Sequence, residues 1–578
     1  MPGFIFIKGS LKNDFLNYKN EKLLVETLEY DDIKIQRRTI KKFLDDKIFY
    51  QNENYLIVTE GVIFNKFELI KKYQKENFKD TIIEMYKKNG DTFFNEFRGS
   101  FSGIFIDKKE NNSLIYVDQI GSRPLYYYSE DNNIIISSRM EEIVKILKIS
   151  NKKFSLNEVG CYCILTHGFM IDKMTLIKEI ERILPGKFIK IFNNNFEIKR
   201  YHLLNNKANY EQTEEEIIDK IDFLFKKAVK LEVNKNNEYE YEDLAPLSAG
   251  LDSRMTVMEL INSNKVTNLL TFTYSESNYY DENIPKKIAD DFKLQWMFKS
   301  LDNGLNLFYL DEVIKINEGN CLYAGGAQVL DTFKILNLEK KGIIHTGMIG
   351  DVVIGTFYEQ KKEKINYDIK SGAYSITLIS KLKEKLKDYS LEKYKNEEIF
   401  KFYTRGFLGA NMGSPCIFMS ELESFSPFYD LDFLEYCLTI PVEKRWGHYI
   451  YDKWIIKKYP KAAKYLHNGR RKIGERSFSI LGKNISKTTI FNKFLYIILG
   501  KNVGRKNMNP FDYWYKTNGE LRNFMNNYFR ENIFRLDNHS EIQKDVKNLF
   551  EKGNNIEKIQ VLSLLSALKL YFGEKSEK

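Results

Sequence analysis

The sequence predicts two domains of different class: a sheet-rich α+β unit, then an α/β unit with a parallel sheet and a helical carboxyl-terminal part. Three observations predict this. The first 200 residues carry short apolar runs cut by turn residues. Beyond residue 213, strand-like and helix-like runs alternate, the grammar of a parallel sheet with helices on its faces. The 578 residues are 43% hydrophobic and 14% aromatic with only 10 prolines, enough for packed cores and against wholesale disorder.

In the first part, strands are expected at 3–8, 54–59, 102–107, 114–118, 134–138 and 187–192, with helices at 67–74 and 81–89. Leu184-Pro185-Gly186-Lys187 is a turn opening the last hairpin. The polar stretch 202–212 carries no apolar period and is expected to link a first domain, 1–201, to a second, 213–578. Thr213 with Glu216 three residues on is a capping-box signature, and Ile217, Ile218, Ile221, Leu224, Phe225 and Ala228 follow at one-face helical spacing. Strands at 244–247, 268–274 and 342–346 and helices at 252–261 and 281–292 come next. From about 370 onward the chain reads as mainly helical, with 561–570 an apolar-faced helix, and no internal repeat is evident. Parallel sheets of this kind bind ligands beyond the carboxyl ends of their strands.

Lys+Arg 89 against Asp+Glu 79 gives +10, but the lysines are scattered among asparagines, as in Asn234-Lys235-Asn236-Asn237. Without a concentrated basic block, the charge argues against a nucleic-acid partner. Five cysteines, an odd number with no CxxC pair, suit a reducing compartment. Residues 1–8 are too short for a secretory apolar region and no run reaches 18 apolar residues, so a cytoplasmic protein with no membrane partner is expected.

The segment Pro246-Leu247-Ser248-Ala249-Gly250-Leu251-Asp252-Ser253-Arg254 stands where a buried strand should meet a helix. Small residues let backbone N–H groups approach an anion, and the helix amino terminus and two serine hydroxyls add favourable dipoles. Asp252 in such a site calls for a cation between it and phosphate, and Mg²⁺ prefers those oxygens. Taken alone, the segment reads equally as a helix start capped by Ser248.

In context it resembles the Ser-Gly-Gly-x-Asp-Ser loop of the PP-loop ATP pyrophosphatases, with Ala249 replacing the first glycine. That resemblance implies ATP as cosubstrate, cleaved between its α and β phosphates. Leu247, Ser248, Gly250, Leu251, Asp252 and Ser253, with Thr273 and Gly347, would hold nucleotide and pyrophosphate. The segment Thr346-Gly347-Met348-Ile349-Gly350-Asp351-Val352-Val353-Ile354-Gly355 is similar to Gly-Glu-Gly-x-Asp-Glu-x-x-Gly of asparagine synthetases. Gly347, Asp351 and Gly355 match; Met348, Ile349 and Val352 depart. The resemblance implies one Mg²⁺ shared by Asp252 and Asp351, whereas Asp351 alone reads equally as a helix cap. Ser426-Pro427-Phe428-Tyr429-Asp430 resembles the family's Arg-x-Pro-Phe-Leu-Asp. Gly469-Arg470-Arg471-Lys472 falls where the family has a lysine that holds pyrophosphate, with Lys472 the first choice as catalytic cation and Arg471 the second. By composition those bases are solvated surface charge.

Before residue 200, Glu60-Gly61-Val62-Ile63-Phe64-Asn65, Arg98-Gly99-Ser100-Phe101-Ser102-Gly103, Asp118-Gln119-Ile120-Gly121-Ser122-Arg123-Pro124-Leu125-Tyr126-Tyr127 and Leu184-Pro185-Gly186 follow the order of class II glutamine amidotransferases. The implied folds are an Ntn-hydrolase-like sandwich of antiparallel sheets and helices, then a PP-loop domain of the adenine nucleotide α hydrolase kind. An active glutaminase of that class has cysteine at residue 2; here it is Pro2, which offers no side-chain nucleophile. Glu60 and Val62 replace the family's Asn and Glu, and an acid at 60 would oppose a developing oxyanion. Asp80 still matches the acid that holds the glutamine amine. Glutamine hydrolysis is therefore expected to be lost, as in β-lactam synthetases and lasso-peptide cyclases.

The expected activity is an ATP- and Mg²⁺-dependent ligase of the asparagine synthetase type. It would activate a small-molecule or peptide carboxylate as an acyl-adenylate for attack by ammonia or an amine. Met348 stands where asparagine synthetases have Glu and β-lactam synthetases Tyr, so the base comes from elsewhere or the nucleophile arrives deprotonated. Two other readings stay open, a tRNA-modifying PP-loop enzyme and a non-catalytic nucleotide-binding descendant. The carboxylate, the amine and the oligomeric state, a homodimer included, are open too.

Overall fold

The structure, a computed structural model, describes residues 2–11, 22–193, 195–263, 266, 268–468, 471–474, 477–480, 483–486 and 508–573. In the first part the strands are β1 (Gly3–Lys8), β2 (Leu23–Tyr30), β3 (Ile33–Ile40), β4 (Phe49–Gln51), β5 (Tyr55–Ile63), β6 (Gly99–Asp107), β7 (Asn112–Val117), β8 (Tyr126–Glu130), β9 (Asn133–Ser137), β10 (Glu181–Arg182), β11 (Lys187–Phe192) and β12 (Asn195–Arg200). They form two antiparallel sheets, β10-β8-β9-β1-β3-β2 and β12-β11-β7-β6-β5-β4. Helices α1 (Lys66–Lys72), α2 (Phe78–Asn89), α3 (Met140–Ile149) and α4 (Glu158–Thr166) accompany them.

Alternation along each strand builds the layers. Phe4 and Phe6 point into the space between the sheets with Leu56, Val58 and Ile104, while Ile5 and Ile7 point outward to Ile143 and Leu147 of α3. On the other sheet, Ile57 and Phe105 face Ile82 and Met85 of α2. The result is helix, sheet, sheet, helix, the Ntn-like sandwich. Strands buried on both faces explain the continuous apolar runs of the sequence.

The hairpin β2–β3 and helices α3 and α4 were not among the expected elements. Arg37 and Arg38 interrupt the apolar pattern of β3, yet both are buried: Arg38 donates to Glu142 of α3 at 2.7 Å and Arg37 is paired with Glu26. Every residue of α4 after its first is buried, so no one-sided period marks it.

The second part holds five parallel strands, β13 (Glu242–Pro246), β14 (Leu270–Ser275), β15 (Gln295–Ser300), β16 (Lys341–His345) and β17 (Glu423–Phe425), in the order β15-β14-β13-β16-β17. Before them runs α5 (Glu214–Glu238), opened by the reciprocal Thr213–Glu216 capping box. After β13 and β14 come α6 (Asp252–Asn262) and α7 (Tyr280–Phe292). This is a PP-loop-like parallel sheet with flanking helices. Strand order reverses between β13 and β16, which opens a crevice beyond their carboxyl ends.

Residues 202–212 form neither helix nor strand but are held down: Leu204 is buried and the Asn206 amide donates to Glu398 Oε2 at 2.9 Å. The two parts meet in buried charge. Lys47 lies 2.8 Å from Glu423 of β17, Arg123 also pairs with Glu423, and Glu60 lies 3.6 Å from Arg123 and 3.8 Å from Lys47. The helix Asn555–Phe572 contains the expected 561–570 stretch and is buried along most of its length. Its apolar residues pack on α4, and Tyr571 reaches the outer layer beside α3. Among the described residues, no helix is long and apolar enough to cross a membrane.

Candidate active site

The chain leaves β13 at Pro246 and re-enters helix at Asp252, and the loop between is cross-braced. Ser248 N–H donates to Ser253 Oγ at 3.0 Å, the two serine oxygens lie 2.8 Å apart, and Gly250 N–H donates to Ser248 Oγ at 3.2 Å. Ala249 N–H donates to Asp281 Oδ1 at 2.9 Å. Arg254 packs behind the loop. Its fully buried guanidinium donates to the carbonyls of Ala249 (2.9 Å), Leu466 (2.8 Å) and Tyr465 (3.1 Å), fixing the loop from behind. Thr273, near the end of β14, donates to Leu247 O at 2.6 Å and accepts from Trp296 Nε1 at 2.9 Å.

The second segment approaches α6 so closely that only glycine fits at 347: a Cβ there would stand 2.3 Å from Ser253 N and 2.4 Å from the Asp252 carbonyl carbon. Asp351 N–H then donates to Asp252 Oδ2 at 2.9 Å, and the Tyr451 hydroxyl donates to Oδ1 at 2.9 Å. Burial, then the charge of Asp351, pushes the Asp252 carboxyl well above the usual range. Ile349 sits at φ 59°, a left-handed conformation that costs a β-branched residue about 1–2 kcal/mol. Asp351–Gly355 continues as a single wide π-helical turn. Ser426 holds this segment in place by donating to Met348 O at 3.1 Å, and Asp430 caps the helix Leu431–Leu438 through Phe433 N–H at 3.1 Å.

Under the site lies a buried ion triad. His345, the last residue of β16, is 2.7 Å from Glu232 of α5 through Nδ1 and 2.8 Å from Asp243 of β13 through Nε2. Against the effect of burial, the two carboxylates raise its pKa to about 9.

Leu247, Ser248, Gly250, Leu251, Asp252, Ser253, Thr273, Gly347 and Asp351 all line one cleft of about 340 Å³. Arg471 and Lys472 do not line it. Arg471 forms a two-pronged pair with Asp452, at 2.6 and 3.2 Å, and Lys472 is exposed. Gly469 and Arg470 lie outside the described residues. Among the described residues, no cluster of three or more His, Cys, Asp or Glu side chains forms a metal cage. A Mg²⁺ here would rest on Asp252 and Asp351 and complete its shell with phosphate and water oxygens, the usual arrangement for that ion at a nucleotide.

Sequence reasoning missed Tyr451, His448 and Asp281, which the fold brings to the same carboxylate, cleft and loop. Asp281 stood at an expected helix start, but nothing local pointed to the loop it supports. Tyr451 and His448 carry no motif.

A glutamine amidotransferase domain is recognised over residues 45–202. The chain broadly resembles the asparagine synthetase family. A putative glutamine-hydrolysing asparagine synthetase 2 of Methanocaldococcus jannaschii is 26% identical over 334 residues, covering 54% of this chain and 62% of that relative. A glutamine-hydrolysing asparagine synthetase 1 of Bacillus subtilis is 20% identical over 250 residues, 42% of this chain and 38% of the relative. The matched regions thus span about six-tenths or less of these curated relatives. Among solved structures, the allosteric regulatory enzyme of purine biosynthesis matches 72% of this chain and 89% of that chain at 10% identity, with a TM-score of 0.24, too slight to bear on the fold. The architecture is an amidotransferase-like first domain joined to a PP-loop-like second.

Proposed function

We propose that the protein is an ATP-dependent carbon–nitrogen ligase of the asparagine synthetase type. A substrate carboxylate attacks the α-phosphate of ATP and expels pyrophosphate, and ammonia or an amine then displaces AMP from the acyl-adenylate. One observation carries this reading: the braced Ser248–Ser253 loop, Asp252 and Asp351 converge on a single cleft at the strand-order reversal. Ser248, Gly250 and Ser253 donate to pyrophosphate oxygens at the amino terminus of α6. Leu247, Leu251 and Thr273 flank the nucleotide, and Gly347 keeps the second segment close.

Asp252 and Asp351 would hold Mg²⁺, which when bound would offset charge on the phosphates. Lys472, itself exposed and four residues past Asn468 of the cleft, attracts departing pyrophosphate, with Arg471 positioned by Asp452. The first domain, 1–201, acts without glutamine hydrolysis. The position heading β1 is Pro2, and Glu60 is bound to Thr39 Oγ1 at 3.0 Å beside Arg123 and Lys47 instead of facing a substrate. Residues 202–212 join it to the synthetase part, 213–578. Five free cysteines suit a reducing, cytoplasmic setting.

The test is ATP–pyrophosphate exchange with Mg²⁺ and aspartate, run beside Asp252→Ala and Lys472→Ala, with product analysis from ammonium and from glutamine. Exchange abolished by the first variant and reduced by the second, with amide from ammonium only, fits the reading. Exchange indifferent to Asp252→Ala sinks the site assignment, and amide formed from glutamine sinks the loss of glutaminase activity.

A further inference from the structure

With Met348 unable to accept a proton, the cleft needs another acceptor for the amine's proton. His448 lines the cleft. Gly447 and His448 are both left-handed, at φ 66° and 63°, and this paired bend sets the imidazole at the start of the helix Tyr449–Lys458, ahead of Tyr451. Its ring centroid is 6.1 Å from that of Tyr451 and 5.9 Å, edge-on, from that of His467. Nδ1 of His448 is buried and has no hydrogen-bond partner among the described residues. A buried polar atom without a partner calls for one from a ligand or solvent.

Asp351 is assigned to the metal in the ligase reading, and three other proton-accepting groups of the cleft are engaged within the protein. Asp252 accepts at both oxygens, Asp281 accepts from Ala249 N–H, and His467 Nε2 faces the Asn468 amide at 3.2 Å.

We propose that His448 is the general base of the amide-forming step, an inference that rests on the ligase reading above. As the amine nitrogen bonds to the acyl carbon, its proton passes to the imidazole. The C–O bond to AMP breaks, its electron pair leaves on the AMP phosphate, and the imidazolium returns its proton to solvent. The groups around the ring are Asp351, Arg471, Asp452, His467 and Tyr451. Burial lowers the imidazole's pKa; Asp351 and Asp452 pull the other way and Arg471 adds to the lowering.

The experiment compares wild type with His448→Gln in three assays: pyrophosphate exchange across a panel of amino acids, dicarboxylic acids and hexuronic acids, amide formation with ammonium, and hydroxamate formation with hydroxylamine. Hydroxylamine is already unprotonated at neutral pH and is the stronger nucleophile, so it reacts with an activated acyl group with far less help from an enzyme base and can lose its proton to water. The expected result is that the ratio of amide to exchange falls at least about a hundredfold in the variant, while the ratio of hydroxamate to exchange holds. Added imidazole should restore part of the amide yield in His448→Ala. An amide-to-exchange ratio within about threefold of wild type overturns the proposal, as does a parallel fall in hydroxamate. Wild type silent in exchange with the whole panel removes the ligase reading itself, and the proposal with it, a failure distinct from the other two.

Discussion

Tyr451 and Asp252, 199 residues apart in the chain, are joined by a 2.9 Å hydrogen bond from a fully buried phenol to Oδ1. The other oxygen of the same carboxylate takes the N–H of Asp351. Three separate stretches of chain thus aim one side chain. Tyr451→Phe is expected to release it without opening a cavity, at about 1 kcal/mol for the lost bond. The measurable outcome is roughly five- to tenfold slower exchange at limiting Mg²⁺, with an unchanged melting temperature within a few degrees.

Gly347→Ala tests whether the close approach positions the site. The added methyl meets backbone atoms at 2.3 and 2.4 Å, which cannot rotate away. Expected are a destabilisation of about 1–3 kcal/mol and loss of nearly all exchange. Gly355→Ala is the control, since the nearest atom to its Cβ is 4.0 Å away. If both variants behave alike, the packing account of Gly347 fails.

The His345 triad makes stability depend on pH. Its folded pKa of about 9 stands above the ordinary 6.5, so the stabilisation is complete below pH 6.5 and is lost as pH rises through 9. Glu232, raised by burial, acts in the same sense. Urea midpoints should therefore fall between pH 6.5 and 9, by an amount equivalent to about 3 kcal/mol, and His345→Gln should flatten that slope. A wild-type midpoint that rises over this window contradicts the assignment.

Glu423 binds two cations in a joint where the side chains of Lys47, Glu60, Arg123 and Glu423 are each 5% exposed or less. Glu423→Leu leaves Lys47 and Arg123 with Glu60 as their remaining carboxylate among the described residues, at a cost of about 3–5 kcal/mol. A lower midpoint in heat or urea is expected. Lys22→Ala, which breaks a largely exposed pair with Glu421, should change little.

Elements with a local signature were legible in the sequence. The Thr213–Glu216 box, the β13 loop and the alternation after residue 213 gave the parallel sheet and its cleft, because caps, glycines and apolar periods act within a few residues. Features made of distant partners were not legible. Arg37 and Arg38 looked like surface charge because Glu26 and Glu142 close over them only in the fold. β17 is three residues long, too short for any period. Tyr451 and His448 reach the cleft through a helix with an unremarkable pattern. Ile349 shows the converse: its backbone adopts the conformation a glycine takes easily, yet the residue itself hides the turn.

The helix Asn555–Phe572 completes the outer layer of a sandwich whose other parts lie far back in the chain. Lys148 of α3 bonds Tyr571 O across 423 residues. At roughly 5–20 residues per second, a ribosome needs about 20–80 s to cover that distance. For that interval the face presented by Met140, Ile143 and Leu147 is without the aromatic cover of Tyr571. The nascent chain is therefore committed to late closure, and this face of α3 stays open to chaperones and to premature association until the helix Asn555–Phe572 has been made.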